Sequence, residues 1–125
     1  MSAAPAPPLA STVFDWSQLT AVPTAAGECR ALFDTSTRTL ARLESHISTV
    51  RAGEASHAAH AHAEEELVIV KEGMLEVTIN GVARAAGPGS VFFLASHDLH
   101  GLRNPGTVPA SYYVIRIFPR DLPVS

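Results

Sequence analysis

Met74-Leu75-Glu76-Val77-Thr78-Ile79-Asn80-Gly81-Val82-Ala83-Arg84 is the stretch that decides the fold. A two-residue type I′ turn needs positive φ at both central positions, and Asn-Gly tolerates that better than other pairs. Before the turn, Leu75, Val77 and Ile79 fall on one face of an extended chain and Met74, Glu76 and Thr78 on the other. The segment therefore reads as a tight hairpin. Outward from it, the apolar residues beyond Val13 come in short runs separated by turn formers, and nowhere do they hold a helical spacing over a dozen residues. The pattern predicts an all-β domain of about eight or more antiparallel strands, with strands at 28–34, 39–51, 66–72, 74–79, 82–86, 90–94, 99–102 and 111–118. Many short strands with Gly and Pro between them belong to a sandwich or barrel.

Two runs, Leu67-Val68-Ile69-Val70 and Val91-Phe92-Phe93-Leu94, are apolar at every position, so both of their faces should be covered. One small barrel does not easily cover both, and a homodimer is the expected remedy. One of each pair Phe92/Phe93 and Tyr112/Tyr113 should point inward and help keep a cavity dry.

At 125 residues the chain is one domain, long enough to bury a real core without disulfides, and the single Cys29 could form none. Residues 1–12 form an Ala/Pro-rich arm expected to be disordered, with the folded domain at 13–125. Eight Arg and one Lys against twelve acids give a net charge of -3, with no basic patch for nucleic acid or an anionic membrane surface. There is no apolar run of membrane-spanning length and no basic, apolar start of a secretory signal, so a cytoplasmic location is expected.

The chemistry gathers in the histidines. His57, His60 and His62 fall together and are followed at once by Glu64-Glu65-Glu66, while His97 and His100 come later. Such a segment could be a solvated low-complexity loop. Imidazole and carboxylate are, however, the usual ligands of divalent first-row metals. On an extended segment His60 and His62 point to the same side, and parity brings in Glu66, with Glu64 as a lesser alternative.

These residues carry a family resemblance. His60-Ala-His62-Ala-Glu-Glu-Glu66, then six residues and Gly73, resembles the first conserved motif of the cupins, Gly-x5-His-x-His-x3-4-Glu-x6-Gly, although Gly53 stands one position too early. The second motif, Gly-x5-Pro-x-Gly-x2-His-x3-Asn, is similar to the run from Gly89 through His100 to Asn104, with Ala95 in place of Pro and His97 in place of Gly. The likeness extends over roughly residues 40–118, and two motifs in register are far more specific than one.

The resemblance implies a jelly-roll β-barrel holding one divalent transition metal ion (Fe, Mn, Ni, Cu, Co or Zn) on His60, His62, Glu66 and His100. Four protein ligands leave positions open on a six-coordinate ion, which suits a reactive site better than a closed structural one. The expected activity is a metal-dependent reaction on a small oxygen-rich molecule, oxygenation ahead of isomerisation or elimination, with Glu66 and His97 as candidate catalytic residues. The rival is a non-catalytic ligand-binding or metal-binding module. His57 is expected behind the ligands or in solvent. His46 shares parity with Arg42 and Glu44, which points to a solvated or subunit-facing side. Cys29 is expected to be a small buried apolar residue.

Overall fold

The structure, a computed structural model, describes residues 7–121. Among the described residues nine strands form two antiparallel sheets: β1 (Ala21–Pro23), β2 (Gly27–Thr35), β3 (Leu40–Val50), β4 (Glu65–Glu72), β5 (Leu75–Ile79), β6 (Val82–Ala86), β7 (Val91–Leu94), β8 (His100–Arg103) and β9 (Ala110–Pro119). One sheet runs β1-β2-β3-β9-β4-β7 and the other β6-β5-β8. This is the all-β jelly-roll architecture, and the only helical turn among the described residues is the 3-10 segment Trp16–Gln18. Among these residues no helix is long and apolar enough to cross a membrane.

The hairpin forms as its sequence dictates. Asn80 and Gly81 take φ of 47° and 86°, and Leu75 and Val77 are fully buried beneath them. Asn80 does more than turn the chain. Its backbone N–H donates to the Leu99 carbonyl, its Oδ1 accepts from the Leu99 N–H, and its Nδ2 donates to Asp98. The turn thereby anchors the segment that leads into His100.

Alternation along each strand builds the core. Val68 and Val70 of β4, Val77 of β5, Leu94 of β7, Leu102 of β8 and Tyr112 of β9 meet between the sheets. Of the aromatic pairs, Tyr112 is buried and Phe92 packs against the core, while Tyr113 is only half-buried and Phe93 is exposed. The opposite parity faces out. There Leu67 and Ile69 lie beside Phe93 and Val91 in register, and the latter two remain 55% and 58% exposed in the single chain.

The chain before β2 straps part of this outer face. Asp15 caps the 3-10 turn by accepting from the Ser17 N–H. Trp16 then carries Arg30 at 4.3 Å and Lys71 at 4.4 Å on its ring, and Phe14 meets Phe33 at 5.3 Å. Two irregularities in register accompany these contacts, one between Ala31 and Phe33 and one between Val70 and Glu72. The Ala/Pro arm is described only from residue 7, and within it the Leu9 N–H donates to the Ser36 carbonyl. Residues 1–6 of the expected arm lie outside the described residues.

Cys29 is a free, half-buried thiol whose pKa is pushed up by burial and by the Glu44 charge.

Candidate metal centre

His60 and His100 face each other across a short antiparallel bridge, each N–H donating to the other's carbonyl at 2.9 Å. This pairing sets their side chains next to one another. His100 reaches the interior because β8 keeps the parity of Leu102, which pairs with Val77, while His100 pairs with Ile79. His62 comes in beside them, held by its carbonyl, which accepts from the His97 N–H at 2.8 Å. One ring nitrogen from each of His60, His62 and His100 lies within 4.8 Å of the others.

Hydrogen bonding fixes how two of these rings present themselves. A carbonyl oxygen only accepts, so His100 Nδ1 carries the proton it donates to Asp98, and His62 Nδ1 the one it donates to the Glu64 carbonyl. In the neutral rings that leaves Nε2 of both as bare lone pairs. Both are buried and have no hydrogen-bond partner among the described residues. Unmet buried nitrogens are costly and rare, and two of them converging with a third imidazole is the arrangement a metal ion satisfies. Burial, followed by the charges of His57, His100, His62 and Arg116, lowers the His60 pKa and so favours the neutral ring a metal requires.

Glu66, at the start of β4, is buried and sends Oε1 to 3.6 Å from His62 Nε2 and Oε2 to 4.0 Å from His100 Nε2. These separations are too long for hydrogen bonds, and they place the carboxylate beside the bare nitrogens. Glu64 points elsewhere. It takes Arg116 at 3.0 Å and the His62 ring at 3.0 Å. Burial works to raise its pKa, but the Arg116 hydrogen bond and the neighbouring positive groups hold it below the usual carboxylate value.

The cluster opens into a cavity of about 210 Å³, room for a small ligand. Val114 and Leu102 give it apolar wall, and Ser48, Ser56 and Tyr112 give it hydroxyls. The Tyr112 hydroxyl, 3.1 Å from Ser56 Oγ, has its pKa raised by burial and stays a neutral donor.

Three further histidines lie outside the cluster. His46 lines this cavity, contrary to the solvated or subunit-facing side expected from its sequence. Parity groups it with Glu44, as expected, but that polar face looks into the barrel mouth, where Arg116 pairs with Glu44 at 3.5 Å. His57 is exposed at the rim, stacked on His60 at 4.3 Å. His97 is exposed at φ 66° and does not line the cavity, so the structure does not bring it to the candidate metal with Glu66. It occupies the left-handed position for which the second motif specifies Gly.

The motif residues without chemistry carry the frame. Gly73, at φ 74°, has no room for a side chain, since a Cβ would sit 2.6 Å from the Pro109 carbonyl oxygen. Asn104 is fully buried. It donates to the Val50 and Val108 carbonyls and accepts from the Gly106 N–H.

Residues 46–116, more than half of the chain, match the family model Cupin_2, the cupin domain. The chain belongs to the cupin family. Among solved structures, a cupin resembling RmlC from Shewanella frigidimarina aligns with a TM-score of 0.71 at 20% identity, over 90% of this chain and 95% of that one. A predicted oxalate decarboxylase from Thermotoga maritima aligns at 0.70 and 18% identity, over 86% and 99%. The cupin domain of an XRE-family transcriptional regulator from Enterobacter cloacae aligns at 0.64 and 24%, over 74% and 96%. At these identities the likeness among cupins is one of fold. No curated protein matches the sequence significantly.

Proposed function

We propose that this cupin is a metal-dependent enzyme that holds one divalent first-row ion on His60, His62, His100 and Glu66 and acts on a small oxygen-rich molecule in the adjoining cavity. The observation that carries the reading is the pair of buried, unpartnered Nε2 atoms of His62 and His100 converging with His60. When bound, the ion supplies Lewis acidity toward two ligand oxygens or activates dioxygen. The chain's own part is to position and exclude. The Asp98 and Glu64 carbonyls hold two rings by Nδ1, Glu66 offsets the charge, and Val114 and Leu102 keep water from one wall. Ser48, Ser56 and the neutral Tyr112 hydroxyl offer hydrogen bonds that orient a polar ligand.

We read oxygenation ahead of isomerisation or elimination because neutral imidazoles with one carboxylate and open positions suit non-haem iron. The test is elemental analysis of protein purified without added metal or chelator, alongside His60→Ala and Glu66→Ala. Near-stoichiometric metal is expected in the wild type and loss of it in both variants. Full occupancy in either variant refutes the ligand set.

A second reading, a binding module without catalysis, draws on the similarity to the cupin domain of a transcriptional regulator. It predicts tight ligand binding with no turnover under air. In both readings we place the protein in the cytoplasm as a homodimer joined over Val91 and Phe93, whose exposure leaves an apolar patch beside Leu67 and Ile69. Phe93→Asp should then yield a monomer in light scattering.

A further inference from the structure

We propose that His46 is the acid–base residue of the cavity, taking the proton from an ionisable hydroxyl of the bound ligand, and that Glu44 is its positioning residue. The inference rests on the metal reading above and adds the ligand class: enols, catechols and other molecules whose chelating oxygen begins as O–H.

His46 Nδ1 lies 2.7 Å from Glu44 Oε2. An ionised carboxylate only accepts, so Nδ1 carries a hydrogen, and in the neutral ring the lone pair is on Nε2. No described group hydrogen-bonds to that Nε2, and the ring lines the same cavity as the three clustered histidines. At about 210 Å³ the cavity is small enough that a ligand reaching the cluster also touches this wall. A ring nitrogen held in one tautomer by a carboxylate, with the other nitrogen free in a ligand cavity, is the arrangement general-base chemistry needs.

The support extends past Glu44. Its other oxygen meets Arg116 at 3.5 Å, and the same guanidinium reaches Glu64, which holds the His62 ring. His46 is thus tied through one chain of charged contacts to a ring of the metal cluster. The ionisable groups around it are Glu44 and Arg42 on β3, Arg116 and Tyr112 on β9, and Cys29 and Asp34 on β2, with His57, His60 and His62 across the cavity. Glu44 is the carboxylate within hydrogen-bond reach of its ring. Glu66 lies across the cavity beside His62 and His100.

In the step, the ligand O–H bond breaks, its electron pair stays on oxygen, and the proton forms a new N–H bond at His46 Nε2. His46 becomes an imidazolium beside the Glu44 carboxylate. No oxidant or reductant is involved.

The test uses zinc-loaded full-length protein, which is redox-inert, with 4-nitrocatechol as the probe. Isothermal titration in two buffers of different ionisation enthalpy counts the protons released per probe bound. His46→Gln is expected to keep its zinc and to release about one more proton per probe than the wild type. Glu44→Ala should show the same extra release, and Glu44→Asp should restore the wild-type count. Equal counts in wild type and His46→Gln, with zinc and probe bound in both, overturn the role of His46 and leave the metal reading standing. Failure of the wild type to bind zinc overturns both. Should His46→Gln not fold, Glu44→Ala against Glu44→Asp decides, and an unchanged count in Glu44→Ala refutes the proposal.

Discussion

Replacing Asn104 by Ala should be among the most damaging single changes outside the metal cluster. The side chain is fully buried, with Nδ2 donating to the Val50 carbonyl at 3.0 Å and to the Val108 carbonyl at 2.8 Å, and Oδ1 accepting from Gly106 at 2.9 Å. The three bonds are not equal in cost. Val50 is 2% exposed, so its carbonyl loses a partner that water does not replace, at about 2 kcal/mol. Val108 is 57% exposed and Gly106 is half-buried, so water replaces the amide there and each loss costs about 0.5 kcal/mol. The sum is about 3 kcal/mol. With an unfolding entropy of about 2.1 cal/mol/K per residue, that lowers the melting temperature of a 125-residue domain by about 11 °C. Urea and thermal unfolding followed by circular dichroism on metal-free protein measure both quantities. A loss below about 1 kcal/mol at unchanged urea dependence would refute the assignment of Asn104 as the tie between β3 and the loop entering β9.

Two other perturbations test the surroundings of the centre. Arg116→Met leaves the Glu64 carboxylate, 8% exposed, without its guanidinium. Because Arg116 is itself 30% exposed, the loss at pH 7 should be about 1–2 kcal/mol, between surface and buried pairs. Glu64 has a folded pKa below its ordinary 4.5, so its contribution is present above that value and is lost as pH falls through the folded pKa. The wild-type advantage over Arg116→Met should therefore shrink as the pH is taken below 4.5, and a deficit that does not change on acidification contradicts the pairing. His97→Gly relieves a left-handed residue worth about 1–2 kcal/mol at some cost in chain entropy, so a net gain of about 0.5 kcal/mol in urea unfolding is expected, with metal content unchanged. A loss of stability or of metal would restore a role for the His97 side chain.

The strands from β2 to β9 were legible to within a residue or so at each end, because alternation and the Asn-Gly turn are local signals that tertiary packing reinforced. Ala21–Pro23 and the Trp16 turn left no such trace. Three residues ending in Pro are too short to show a period, and the strap is defined by contacts with Arg30 and Lys71 that are distant in sequence. Within the site, spacing grouped His60 with His62, and the motif supplied His100. His46 escaped for a different reason. Parity states which residues share a face but not which face is inside, and a polar face normally reads as solvent unless the mouth of the barrel is itself polar, as Glu44 and Arg116 make it here.

The strap over the outer sheet also equips the molecule with an optical probe for each of its two layers. Trp16 is the sole tryptophan, seated 38% exposed with a guanidinium and an ammonium resting on its indole. Its emission therefore reports on the outermost layer, while the two tyrosines, buried Tyr112 and half-buried Tyr113, both lie on β9 and report on the sheet beneath. If the strap lifts before the barrel opens, the indole signal will shift at lower denaturant than the tyrosine signal. The order in which the two layers come apart is readable without attaching a dye.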